Sequence, residues 1–182
     1  PPRLDSSAAS DVYKRQQVND ALRAEQAELI EELLPKASGN AIIAYARLVV
    51  DQLDEFKRDG AEPCFTLLIP QTNRGIDALP VFSERTREFE LAVLDVTLKT
   101  YDGERQVPSE EDVWTDLEPV FLKLFEAYGE DNVLAVTNSD DRGTARAIDR
   151  KLLCDINRSL YSGILQLPKR SAVTAFRWVL SP

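Results

Sequence analysis

The stretch DRGTARAIDRKLLCDINRSLYSGILQL, residues 141–167, decides the fold. Ala145, Ile148, Leu152, Ile156, Leu160, Ile164 and Leu167 recur at steps of three and four. That spacing lays them along one face of a helix of about seven turns. A second line, Ala147, Cys154, Tyr161 and Leu165, lies nearly opposite. A helix wetted on one side carries polar residues there. The C-terminal half of this one is apolar on both sides. It therefore predicts a central helix sandwiched between neighbours, with the rest of the chain wrapped round it. Core packing alone accounts for this pattern, and nothing in it names a chemistry.

Working outward, each neighbouring segment carries helix punctuation. Pro168 stops the central helix and opens a last one, with Val173, Phe176, Val179 and Leu180 as its core stripe. Upstream, Ser109-Glu110-Glu111-Asp112 has the form of a capping box with Asp in place of Glu. The helix it opens runs through Val113, Trp114, Leu117, Phe121, Leu124, Phe125 and Tyr128 to Gly129. Pro119 inside it should kink it or shift its start. A single turn is expected over 131–136. Ser83 caps a helix running to about Tyr101, with Phe89, Val93, Val96 and Leu98 on its core side and Leu91 and Leu94 beside them. Residues 62–70 fit a short buried strand, but Pro63 as an opener and Pro70 as a stop favour a short helix. Ser38 or Asn40 caps a helix to about Lys57, with Ile42, Tyr45, Ala46, Val49, Leu53 and Phe56 inward. An acidic helix over 18–34 precedes it, ending at Pro35.

Composition agrees with this pattern. The chain has 182 residues, 43% of them hydrophobic, enough for a sizeable core. Its 7 glycines are too few for a turn-rich all-β fold. The expectation is an all-α fold: one helical bundle of five to seven helices around the long helix near 141–167. Residues 17–182 form that domain. Within 1–16, Ser6 to Gln16 resembles translated sequencing adapter, so 1–16 is set aside as a disordered or artefactual segment. With no methionine anywhere, the chain is read as a fragment of a longer protein. No run reaches the roughly 20 apolar residues of a membrane span.

Charge is unevenly placed. The net charge is −9, yet residues 140–182 carry eight basic and four acidic side chains. The two parts can complement each other within one fold. Arg142, Arg146 and Arg150 are four apart and share a helix face. Such a stripe suits an anionic partner, most simply an acidic protein surface. Asp149 and Asp155 interrupt it and no aromatics interleave, which argues against nucleic acid.

Candidate chemistry is sparse. With no histidine, the usual general base and metal ligand are missing. Residues 138–143 with Asp149 overlay a calcium loop, but Arg142 occupies a ligand position and Asp149 is shorter than the bidentate Glu. The better reading is a helix cap from Asn138, Ser139 or Asp140. The carboxylates Asp51, Asp54 and Glu55 are read as a solvated face. No catalytic residue, cofactor site or metal site is expected. Cys64 and Cys154 are either separate buried thiols or one disulfide. The first functional reading is a non-catalytic helical interaction or regulatory module. The alternative is an extracytoplasmic helical domain of a membrane-anchored or secreted bacterial protein, stapled by a Cys64–Cys154 disulfide. A third, an enzyme using carboxylate and Arg groups, lacks an activating constellation. Localisation turns on whether the cysteines are bridged.

Overall fold

The computed structural model describes residues 29–30, 32–59, 61–68, 82–137 and 149–181. Among them the ordered elements are helices, and no strand occurs. A 3-10 turn, Leu34–Lys36, precedes α1 (Gly39–Asp59) and α2 (Ala61–Leu68). Then follow α3 (Glu84–Thr100), α4 (Glu110–Tyr128), α5 (Glu130–Thr137), α6 (Arg150–Leu165) and α7 (Lys169–Val179). The all-α bundle read from the sequence is the observed fold.

The caps follow from short side chains that satisfy free backbone N–H groups at helix starts. Ser38 Oγ accepts from Ala41 N, and Ser83 Oγ accepts from Thr86 N. At α4 the capping box is complete: Ser109 Oγ accepts from Asp112 N, and Asp112 Oδ2 accepts from Ser109 N at 2.9 Å. The Ser109 hydroxyl, donating to Asp112 Oδ2 at 2.7 Å, and then the Ser109 N–H hold the Asp112 carboxyl below its usual pKa. Gly129 ends α4 at φ 82°, a left-handed conformation that favours glycine. The α4 helix runs through Pro119 from the Ser109 cap to Tyr128, so the proline does not shift its start. Residues 61–68 are helical, as Pro63 and Pro70 favoured, although the helix starts two residues before Pro63, the expected opener; α5 is longer than the single turn expected.

The central helix is shorter than its periodicity suggested. Asp149 has φ −54° and ψ 127°, outside the helical region, and its side chain accepts from Leu152 N at 3.0 Å. It is a cap, so α6 begins at Arg150. The apolar spacing runs across this boundary because Ala145 and Ile148 happen to fall in register. Residues 138–148, with the expected cap and the calcium-like motif, lie outside the described residues.

Its sandwiched position holds. No residue from Leu152 to Leu165 is exposed, and α6 packs against α1, α2, α4, α5 and α7. Leu153, Ile156, Leu160 and Ile164 are buried. Ile156, Leu160 and Ile164 meet Ile42 and Ala46 of α1, Leu117 and Leu124 of α4, and Phe176 of α7 in one main core. Gly163 lets α6 pack tightly on α4: a Cβ there would lie 2.8 Å from Val120 Cγ1. Val120 is buried and branched, with little room to yield. Gly163→Val is therefore expected to cost about 2–3 kcal/mol in urea denaturation, through overpacking. Val120→Ala in the same chain should recover part of it.

The α3 helix is rotated from its expected setting. Thr86, Val93 and Thr97 are buried, while Leu91 and Leu98 are 58% and 49% exposed. The reason lies on α1. Glu55 accepts from Thr86 Oγ1 at 2.6 Å and from Ser83 N at 2.6 Å, which fixes the Thr86 line inward.

Candidate functional site

The feature that stands out chemically is the junction of α2 with α6. The eight-residue α2 is too short to be a stable helix alone and depends on what it buries. Among its described side chains, Cys64 and Phe65 are buried, at 1% and 3% exposure. Cys64 faces Cys154 on α6, their Cα atoms are 6.1 Å apart, and their sulfurs are at bonding distance. That Cα separation is ordinary for a disulfide. The bridge closes a sequence separation of 90 residues.

Two small apolar clusters flank the bridge, both apart from the main core. Cys64 packs with Val49, Leu53, Phe56 and Phe82, and the Phe56 and Phe82 rings lie 4.8 Å apart. Phe65 packs with Leu153 of α6. Arg150, at the first position of α6, places its guanidinium 4.7 Å from the Phe65 ring centre. Of the expected arginine stripe, this residue alone is described, and its guanidinium lies on an internal aromatic ring. Arg142 and Arg146 lie outside the described residues.

Charged groups tie α6 to α1. Arg158 of α6 holds Asp54 of α1 through two hydrogen bonds, Nε to Oδ1 and Nη2 to Oδ2, the latter at 2.9 Å. Lys57 and Asp155 pair beside it at 2.9 Å. The Arg158 hydrogen bond, against some desolvation, holds the Asp54 carboxyl below its usual range, and Asp54 in turn raises Arg158. Glu55 behaves similarly. Burial would raise its pKa, but hydrogen bonds from Thr86 and Ser83 outweigh that and lower it. Asp54 and Glu55 are thus structural partners rather than the solvated carboxylates expected.

The Asp54 pair makes a pH prediction. A depressed carboxylate pKa in the fold contributes stability above the unfolded value, near 3.8, that is lost as pH falls through the lower folded value. Both side chains are more than a third exposed, so solvent screening limits the gain. Asp54→Asn should cost under about 1 kcal/mol at pH 7. The cost should vanish in strong acid, as read by urea midpoints at both pH values.

Arg177 has a role the sequence did not signal. Its Nε donates to Pro35 O at 2.8 Å and its Nη2 to Ala37 O at 3.0 Å. Arg105 also donates to Ala37 O. The guanidiniums satisfy carbonyls at the end of the 3-10 turn, where a cation is electrostatically welcome. Burial, and then the neighbouring Arg105, lower the Arg177 pKa.

A groove between α1, α3 and α7 is lined by Asn40, Ile43, Arg47, Phe89, Leu167 and Lys169. Lys169 Nζ donates across it to Asn40 Oδ1 at 2.9 Å. Among the described residues no three His, Cys, Asp or Glu side chains cluster as metal ligands, and no helix is long and apolar enough to cross a membrane. Comparison of the chain with protein-family models, with curated proteins and with solved structures finds no match in any of the three.

Proposed function

We propose that this chain is a non-catalytic helical interaction domain, stapled by a Cys64–Cys154 disulfide for work in an oxidising compartment outside the cytoplasm. The observation that carries this reading is the placement of Cys64 and Cys154 at bonding distance. Disulfides persist in secreted and periplasmic settings, where no reducing pool opens them. The staple has a physical purpose here. It fixes α2, which adds two small clusters and little core of its own, onto α6. Exposed large apolar side chains support the interaction half of the reading. Leu91, Leu98, Trp114 and Leu122 are 45–58% exposed on α3 and α4. Apolar groups of this size at the surface mark contact sites when they cluster.

The test is to produce the chain in one bacterial host with and without an export leader. The exported product should melt at the higher temperature, and reductant should remove the difference. Equal midpoints, both indifferent to reductant, would overturn the proposal.

A further inference from the structure

Helix α4 presents more apolar surface than its place in the bundle uses. Val113, Leu117, Val120 and Leu124 are buried in the core. At about 100° per residue, Phe121, Trp114, Phe125 and Leu122 follow in order round one flank. The apolar arc from Val120 to Phe125 then covers about 140°, where a helix packed on one core needs a stripe of about 100°, and Leu122 lies about 60° further round, beyond Glu118 and Glu111. Phe121 and Phe125 are half-buried against the main core, and the row of rings runs on from them to Trp114. Trp114 and Phe121 ring centres are 5.7 Å apart, and those of Phe121 and Phe125 6.0 Å. Trp114 and Leu122 remain 45% and 58% exposed.

The surroundings of this flank are acidic. Glu111 and Glu118 lie on the same side of the helix, and Glu126 stands one turn beyond Leu122; all three are exposed. None of the three is in an ion pair among the described residues. Over residues 110–137 there are eight acidic side chains and one basic, Lys123. We infer that this flank docks a cationic amphipathic helix of a separate protein. Its apolar side chains lie along Trp114, Phe121, Leu122 and Phe125, and its Lys or Arg residues face Glu111, Glu118 and Glu126. The inference rests on the interaction-domain reading above and names the partner's chemistry.

Three physical points select this occupant. Anchors at steps of three, four and seven match one face of a helix laid along the flank. A half-exposed tryptophan beside further rings is the residue type that dominates interface energetics. The unpaired carboxylates complement a basic partner and steer its approach. A second copy of the same flank would set Glu against Glu, and an anionic bilayer would be repelled.

The experiment uses the full oxidised chain and fluorescent Leu/Lys amphipathic peptides of about five helical turns, read by anisotropy. A Leu/Glu peptide of equal length is the charge control. Saturable 1:1 binding of the Leu/Lys peptide is expected. It should weaken at least about tenfold in Trp114→Ala and in Leu122→Lys, and fall steeply with added salt. Melting midpoints of the variants should stay close to that of the parent. Equal binding by parent and variants would overturn the proposal. So would preference for the Leu/Glu peptide at the same flank, which would leave an interaction domain with a different partner. Self-association abolished by Leu122→Lys would also overturn it, because the occupant would be a second copy. A thiol count on the same preparation judges the staple separately.

Discussion

Replacing Cys64 and Cys154 together by serine is expected to lower the unfolding free energy by about 3–5 kcal/mol. The bridge spans a sequence separation of 90, so it removes much of the freedom of the unfolded chain. In the chain-entropy account a loop of that size contributes near the top of the usual range. Native-state effects add to this. Without the link, α2 relies on Phe65 against Leu153 and on the small cluster around Phe56. A helix of two turns has little tendency to persist by itself. Local opening should therefore precede global unfolding in the serine variant. Urea denaturation of both proteins gives the free-energy difference. Hydrogen exchange should show α2 amides losing protection first, while α6 retains its own. A variant whose midpoint matches the parent, with α2 still protected, would mean that packing alone holds α2.

Phe176→Ala is expected to cost a similar amount, about 3–5 kcal/mol. Phe176 is 0% exposed and lies in the main core, where its ring centre is 5.3 Å from that of Tyr161 on α6. Helix α7 contacts α1, α4, α6 and the 3-10 turn, so a cavity at Phe176 removes contacts to several layers at once. Close-packed interiors relax little around such a void. A domain typically has about 5–15 kcal/mol in total, so this change alone should move the urea midpoint strongly. Phe176→Leu, which keeps most of the volume, should cost clearly less. The two losses act on different clusters, Cys64–Cys154 on a satellite cluster and Phe176 on the main core. Tyr161 touches both, stacking on Phe176 and packing against the Cys64 cluster, so a small coupling between the two losses is expected.

Local chemistry was the legible part of the sequence. Ser38, Ser83 and the Ser109–Asp112 box cap helices where their side-chain chemistry says they should. Pro63 and Pro70 marked 61–68 as a short helix, and the period of α6 announced a buried element. Tertiary choices were not legible. On α3 the Thr86–Val93–Thr97 line and the Leu91–Leu98 line are both spaced for one face. Glu55, on another helix, decides between them through Thr86 and Ser83. Asp149 was hidden because apolar residues on both sides of it keep helical spacing. Arg177 gave no sign because its acceptors, Pro35 O and Ala37 O, are backbone groups far away in sequence. Trp114 read as one more core aromatic of α4, and only the packing shows that its flank is left open. The cysteines fall between the two cases: an even count allowed a bridge, and the α2–α6 contact brings the pair together.

The measurement that bears most directly on the stapled domain is a count of alkylatable thiols by mass spectrometry. It is made on the unfolded, unreduced monomer. No alkylatable thiol is expected before reduction and two after it, with Cys64 and Cys154 recovered in one linked peptide. Two free thiols on the unreduced chain would contradict it, and the proposal of an oxidising compartment would lose its foundation.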